Sequence, residues 1–197
     1  MEKVILASRN KGKIKEIGDI LGRYDMTVVS RDDAGLPIDE VEETGETFEE
    51  NSYIKAKAIL DVAGMPTVAD DSGLMVDALG GAPGVYSARY AGEDCTYEDN
   101  NRKLLSALAG VPDEKRSARF VSVITMLWPD GRKIVARGEC EGRILTETRG
   151  EGGFGYDPLF VPEGYDISFG EMSPEEKNKI SHRAKALMKL ESILENE

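Results

Sequence analysis

Two adjacent carboxylates, Asp70 and Asp71, are the residues of this chain best suited to chemistry: they follow the apolar pair Val68-Ala69 and run into Ser72-Gly73. Two unit charges about 4 Å apart repel by roughly 4 kcal/mol at an effective dielectric near 20, so the pair needs solvent or a cation. A hard cation with oxygen ligands, such as Mg²⁺, satisfies it. In a regular strand the two side chains point to opposite faces, so serving one site together calls for a turn, which Ser72-Gly73 permits. The same residues suit a plain polar turn equally well.

Three further groups carry functional residue types. Ser8-Arg9-Asn10-Lys11-Gly12-Lys13 separates the apolar run Val4-Ile5-Leu6-Ala7 from a helical pattern. It suits either a phosphate cradle at a helix N-terminus, with lysine supplying charge, or a basic helix entry. A Walker A loop needs glycine at position 7 and a hydroxyl at 14, where this chain has Ala7 and Ile14. Asn51 and Lys55 share one helix edge at i, i+4, downstream of an acidic loop holding Glu40, Glu42 and Glu43. Between Gly150 and Pro158, Phe154, Gly155, Tyr156 and Asp157 sit among glycines. A ring on such backbone either stacks on a nucleobase, for roughly 1–3 kcal/mol, or packs into the core. The single histidine, His182, precedes Arg183, and no serine and acid are arranged to make it a triad.

The elements that must position these residues alternate strand with helix. Lys3–Ala7 is a buried-type strand; Ile14, Ile17, Ile20 and Leu21 form a helical stripe ended by Gly22; Met26–Ser30 is a second strand. Thr47 and Glu50 make a capping box that opens a helix closed by Gly64-Met65-Pro66. A third helix spans Thr96–Leu108. Arg119–Trp128, apolar on both alternating faces, reads as a central strand, and Lys133–Ile144 as a strand with one wet face. Ser173-Pro174 with Glu176 launches a helical C-terminus striped by Ala186, Leu190 and Ile193. The expected fold is α/β, one domain over residues 1–197: a long twisted mixed sheet flanked by helices, in two lobes around a central cleft.

Composition narrows the partners. A formal net charge of -12 over 197 residues argues against a nucleic-acid polymer, which needs a basic face to displace counterions. A small polyphosphate remains compatible where a few lysines converge. Cys95 and Cys140 lack zinc or disulfide spacing and read as reduced core thiols. Val4–Ala7 is too short for a signal-peptide core or a membrane span, which makes the cytoplasm the expected compartment, with no membrane partner.

Taken in order, Ser8–Lys13, Glu42-Glu43-Thr44-Gly45-Glu46-Thr47-Phe48 with Asn51 and Lys55, Ala69–Leu74, Gly80–Arg89, Gly153–Pro158, Lys177 and Ser181-His182-Arg183 resemble the inosine triphosphate pyrophosphatase family nearly end to end. The resemblance implies Mg²⁺-dependent hydrolysis of non-standard purine nucleoside triphosphates (ITP, dITP, XTP) to monophosphate and pyrophosphate by a homodimer. It also implies roles: Glu42 and Asp71 as metal ligands, Asp71 as proton acceptor with Asp70 as helper, and Lys13 and Lys55 on phosphates. Residues 8–13 and Ser72 would line the triphosphate end. Phe154 would stack on the base, Gly155, Tyr156 and Asp157 would complete that wall, and Lys177, His182 and Arg183 would close over the purine. Ser8 stands where relatives often have threonine and Ser52 where alanine is common; neither change removes a needed group. Arg183 only donates hydrogen bonds, so it matches a 6-oxo purine and opposes the 6-amino donor of adenine. Two other readings fit the residue types: a pyrophosphatase for modified pyrimidine nucleotides, and a non-catalytic nucleotide-sensing module.

Overall fold

The computed structural model describes residues 2–8, 11–36 and 41–196. Its strands are β1 (Glu2–Leu6), β2 (Met26–Ser30), β3 (Thr67–Val76), β4 (Ser117–Leu127), β5 (Lys133–Ile144) and β6 (Phe160–Pro162). They form one sheet in the order β2-β1-β3-β4-β5-β6. β1 runs parallel to β2 and β3 while β6 is antiparallel to β5, so the sheet is mixed. The α-helices are α1 (Lys11–Leu21), α2 (Phe48–Ala63), α3 (Tyr97–Ala107), α4 (Pro174–Ile180) and α5 (His182–Leu194). The expected α/β class, with helices flanking a mixed sheet, is borne out.

Two compact units divide the chain, one made of Met1–Asp71, Ser122–Gly138 and Ala186–Glu197, the other of Ser72–Val121 and Glu139–Lys185. In the first, Val68 and Met126 pack with Ile17 and Leu21 of α1 and Leu187 and Leu190 of α5. Their strand neighbours Ala69 and Leu127 pack instead with Ala56 of α2. Successive strand residues point to opposite faces, so α1 and α5 cover one face of this part of the sheet and α2 the other. That double cover is why β4 is buried on both faces and apolar without alternation along most of its length. In the second unit, Leu104 and Leu108 join Leu74, Phe120, Cys140 and Phe160 in a separate core.

Two expectations are corrected here. The chain does not turn at Ser72-Gly73: β3 continues to Val76. Leu74 and Val76, at period two, are buried in the second unit's core, and Leu74 N donates to Ser87 Oγ at 2.8 Å, so extension satisfies both side chains and backbone. The C-terminal helix is also not continuous. Ser181 is extended (φ -64, ψ 157) and its Oγ accepts from Ala184 N, so a second N-cap eight residues after Ser173 restarts the helix and makes His182 the first residue of α5. Of the two cysteines, Cys140 is buried as expected, whereas Cys95 is half-exposed.

Candidate functional site

In the first unit the site grows from three parallel strands. Leu6 lies opposite both Ser30 and Val68, so the chain leaves β1 and β2 beside the first residues of β3, just before Asp70 and Asp71. Ligands of open α/β sheets gather beyond such carboxyl ends. Here Ser8, Lys13 of α1, Arg31, Glu43, Lys55 of α2 and Asp70 of β3 line a pocket of about 270 Å³. Lys13 Nζ is 2.7 Å from Asp70 Oδ2. Lys55 Nζ donates to Asp71 Oδ1 at 2.8 Å and to Glu43 Oε1 at 3.0 Å. Lys55 thus lines a pocket with one aspartate and bonds the other, which gathers both carboxylates without a turn.

Glu43 owes its place to the start of α2. Thr47 and Glu50 form the expected capping box, and Asn51 Oδ1, one turn before Lys55, accepts from Gly45 N at 2.8 Å. A Cβ on Gly45 would come within 2.6 Å of that oxygen, so only glycine lets the loop lie this close to the helix. Glu43 was a member of the acidic run without a role of its own. Arg31 carried no motif at all.

Charge is tightly balanced. Burial pushes Asp71 above the usual carboxylate range; Lys55 pulls it partly back, while Glu43 and Asp70 push it up again. Burial works against the Lys55 ammonium too, but Asp71 and Glu43 outweigh it and its pKa is raised. Asp71 Oδ2 is buried with no hydrogen-bond partner among the described residues. Among those residues no three of His, Cys, Asp and Glu converge as a closed protein cage. Oxygen donors without a cage fit Mg²⁺, which keeps waters and shares one or two carboxylates with substrate phosphates.

The second unit holds a pocket of about 180 Å³ whose lining includes Ser72, Tyr97, Phe120, Phe154, Gly155 and His182. Phe154 is 51% exposed, which excludes the core-aromatic alternative. Its backbone is locked: Phe154 N donates to Asp157 Oδ2 at 2.8 Å, and Gly155 O accepts from Asn101 Nδ2 at 3.1 Å. Gly153 has φ +76, and a Cβ there would overlap the Asp157 carboxylate, so this position requires glycine. Asp157 is also ion-paired with Lys177, whose Nζ lies 4.5 Å from the Phe154 ring centroid. Tyr156 is buried and its hydroxyl donates to Ser87 O at 2.8 Å. The buried His182 stacks on Phe120 with ring centroids 4.9 Å apart and planes 16° apart.

Of the residues singled out in the sequence, Ser8, Lys13, Lys55, Asp70 and Asp71 therefore meet in one unit. Ser72, Phe154, Gly155, Tyr156, Asp157 and His182 meet around the other pocket, with Lys177 bound to Asp157. Glu42 and Gly12 are exposed, and Arg183 is half-buried. Arg9, Asn10 and the side chain of Lys11 lie outside the described residues. No helix among those residues is long and apolar enough to cross a membrane.

A model of the Ham1 family matches residues 4–193. The chain is 53% identical over 193 residues to a dITP/XTP pyrophosphatase of Desulforamulus reducens, covering 98% of this chain and 95% of that one. It is 48% identical over 200 residues to a dITP/XTP pyrophosphatase of Vibrio cholerae, covering 100% and 98%. Among solved structures, the Ham1 protein of Staphylococcus aureus superposes with a TM-score of 0.92 at 42% identity, covering 99% of each chain. A HAM1 protein of Coxiella burnetii gives 0.93 at 39% identity, covering 100% of each.

Proposed function

The chain belongs to the Ham1 family, and from that premise we propose that it hydrolyses ITP, dITP and XTP between the α and β phosphates, releasing the nucleoside monophosphate and pyrophosphate. Full-length relatives at about half identity carry the name dITP/XTP pyrophosphatase, which supports the reaction and its substrates. The observation that carries the proposal is the largely buried group Lys13–Asp70 and Lys55–Asp71–Glu43, which stands in β3 beside the carboxyl ends of β1 and β2. Binding alone would not need so many carboxylates under a polyphosphate.

The roles follow from residue chemistry. Asp71 takes the proton of the attacking water, and a carboxylate pushed upward by burial is a better base than an exposed one. Lys13 and Lys55 hold phosphoryl oxygens, exchanging a carboxylate partner for the substrate. Ser8 and Lys13 line the triphosphate end, the role that the family likeness gives to residues 8–13 and Ser72. Asp71 and Glu42 would hold Mg²⁺, with Asp70 as helper. When bound, the ion draws charge from the phosphoryl oxygens. Phe154 offers an exposed ring for the base, on a backbone held by Asp157 and Lys177, and Gly155, Tyr156 and His182 shape that wall. Arg183 donates to the 6-oxo group. The further reading, drawn from the family likeness, is a homodimer at work in the cytoplasm.

The test is product analysis: the full chain with Mg²⁺ and, separately, ITP, XTP, dITP, ATP, GTP and modified pyrimidine triphosphates. Monophosphate and pyrophosphate from ITP, dITP or XTP are expected. Orthophosphate release, cleavage of modified pyrimidine nucleotides alone, or no turnover would overturn the proposal.

A further inference from the structure

Both lysines of the first unit's pocket face carboxylates, Lys13 against Asp70 and Lys55 against Asp71 and Glu43. Arg31, the residue just after β2, stands differently. It lines the same pocket, and its side chain is only 11% exposed. Its Nε is buried without a hydrogen-bond partner among the described residues. Its ion pair among the described residues is with Asp32, whose side chain is 53% exposed, at 3.8 Å. That separation is too long for a hydrogen bond, and exposed pairs contribute only about 0–1 kcal/mol. A guanidinium largely withdrawn from water with its Nε donor open is a poorly compensated charge. The ligand that completes it is an oxyanion taken by two parallel N–H groups, which phosphate offers.

The sheet indicates which phosphate. Arg31 N donates to Leu6 O and Ala7 N to Val68 O, so Arg31 and Ala7, just past the ends of β2 and β1, form one row with Ala69, the third residue of β3. Neighbouring strands lie about 4.8 Å apart, which puts Arg31 about 10 Å of sheet width from Asp70 and Asp71. A triphosphate attacked beside Asp71 and Lys55 and laid across Ser8 and Lys13 runs toward β2. We propose that Arg31 holds the terminal phosphates of the substrate and so binds the departing pyrophosphate. This rests on the reading of the pocket as the triphosphate end of a nucleotide pyrophosphatase.

Pyrophosphate and inosine monophosphate separate the two ends of the substrate. Calorimetric titration of each into the full chain with Mg²⁺ compares the wild type with Arg31→Ala and Arg31→Lys. Arg31→Ala is expected to weaken pyrophosphate about tenfold, the loss of one charged bidentate contact, and to leave inosine monophosphate unchanged. Arg31→Lys recovers only part, because an ammonium lacks the fork. An unchanged pyrophosphate affinity in Arg31→Ala overturns the inference, as does equal weakening of both ligands or a wild type that binds no pyrophosphate. A wild type that binds pyrophosphate but hydrolyses none of ITP, dITP and XTP overturns the proposed reaction while the calorimetric comparison still decides the role of Arg31.

Discussion

Lys55 and Asp71 face each other across 2.8 Å, ammonium to carboxylate, with side chains 16% and 9% exposed. In the proposed reaction the contact couples the group that grips a phosphate to the group that takes the proton. Asp71→Asn keeps the size and an oxygen acceptor but removes the base. Turnover of ITP is expected to fall by about 10²- to 10⁴-fold, the usual range for a general base, while the melting temperature stays close to wild type. Steady-state kinetics beside a thermal melt check it, and an active variant removes Asp71 from the mechanism.

The same contact sets a pH dependence. Burial raises Asp71, Lys55 lowers it, and Glu43 and Asp70 raise it further. In the metal-free protein Asp71 therefore takes up its proton at a pH above the ordinary carboxylate range. Lys55→Met removes a lowering charge and moves that midpoint to higher pH. Asp70→Asn removes a like charge and moves it lower. Carboxylate titrations of the metal-free protein followed by NMR read the direction of each shift.

Phe154 reaches solvent on a backbone held by Asp157 and Lys177. Because the ring is exposed, Phe154→Ala costs little stability. A lost base stack is worth about 1–3 kcal/mol, so KM for ITP should rise by about 5- to 150-fold with kcat less affected. Phe154→Trp restores it. A KM unchanged in the alanine variant means the ring does not meet the base.

Much of this arrangement was legible locally, and the rest depends on distant partners. The capping box at Thr47 and Glu50 appears as the sequence implied, because its partners are three residues apart. The alternation of β5 likewise needs only near neighbours to be read. Ser72-Gly73 looked like a turn because glycine permits one, but burial of Leu74 and Val76 keeps the chain extended. Ser181 did not announce a helix break, since Ser173 had already supplied a start signal. Arg31 was invisible for a different reason: Arg31-Asp32-Asp33 reads as a solvated polar bend, and only the order of β2, β1 and β3 turns its side chain into part of a pocket.

Arg183 follows the buried His182 at the start of α5. In the proposed reaction this pure donor favours a 6-oxo acceptor over the 6-amino group of adenine. Arg183→Ala should reduce the ratio of kcat/KM for ITP over ATP by about tenfold, within the range for one lost polar discrimination, and lower stability less than it lowers that ratio. An unchanged ratio refutes the role.

Arg116 tests the architecture apart from the chemistry. Its buried guanidinium donates from Nε to Val111 O at 3.0 Å, from Nη1 to Leu145 O at 3.0 Å and from Nη2 to Leu108 O at 2.9 Å. These bonds close the end of α3 onto the segments before β4 and after β5. Arg116→Met fills similar space but leaves carbonyls without donors, at about 1–3 kcal/mol for each group left unsatisfied. The urea midpoint should drop markedly, with turnover per folded molecule preserved. A midpoint near wild type would mean water replaces the guanidinium freely.

Cys140 and Cys95 should separate by reactivity. The thiolate is the reactive form, and burial pushes the Cys140 thiol from 9.0 up to about 11. At pH 8 in native conditions iodoacetamide should therefore alkylate the half-exposed Cys95 and spare Cys140, with both modified in denaturant, as mass spectrometry would show. The same shift links to stability. Between pH 9 and 11 the unfolded chain loses this proton while the folded chain keeps it, so the folded state binds more protons and its stability falls as pH rises through that window. Cys140→Ala removes this contribution. Subtracting its urea-melt stability from that of the wild type at each pH cancels the other titrating groups, and the difference should decline from pH 9 to pH 11. A flat difference would mean that the thiol ionises equally easily in the folded and unfolded chains.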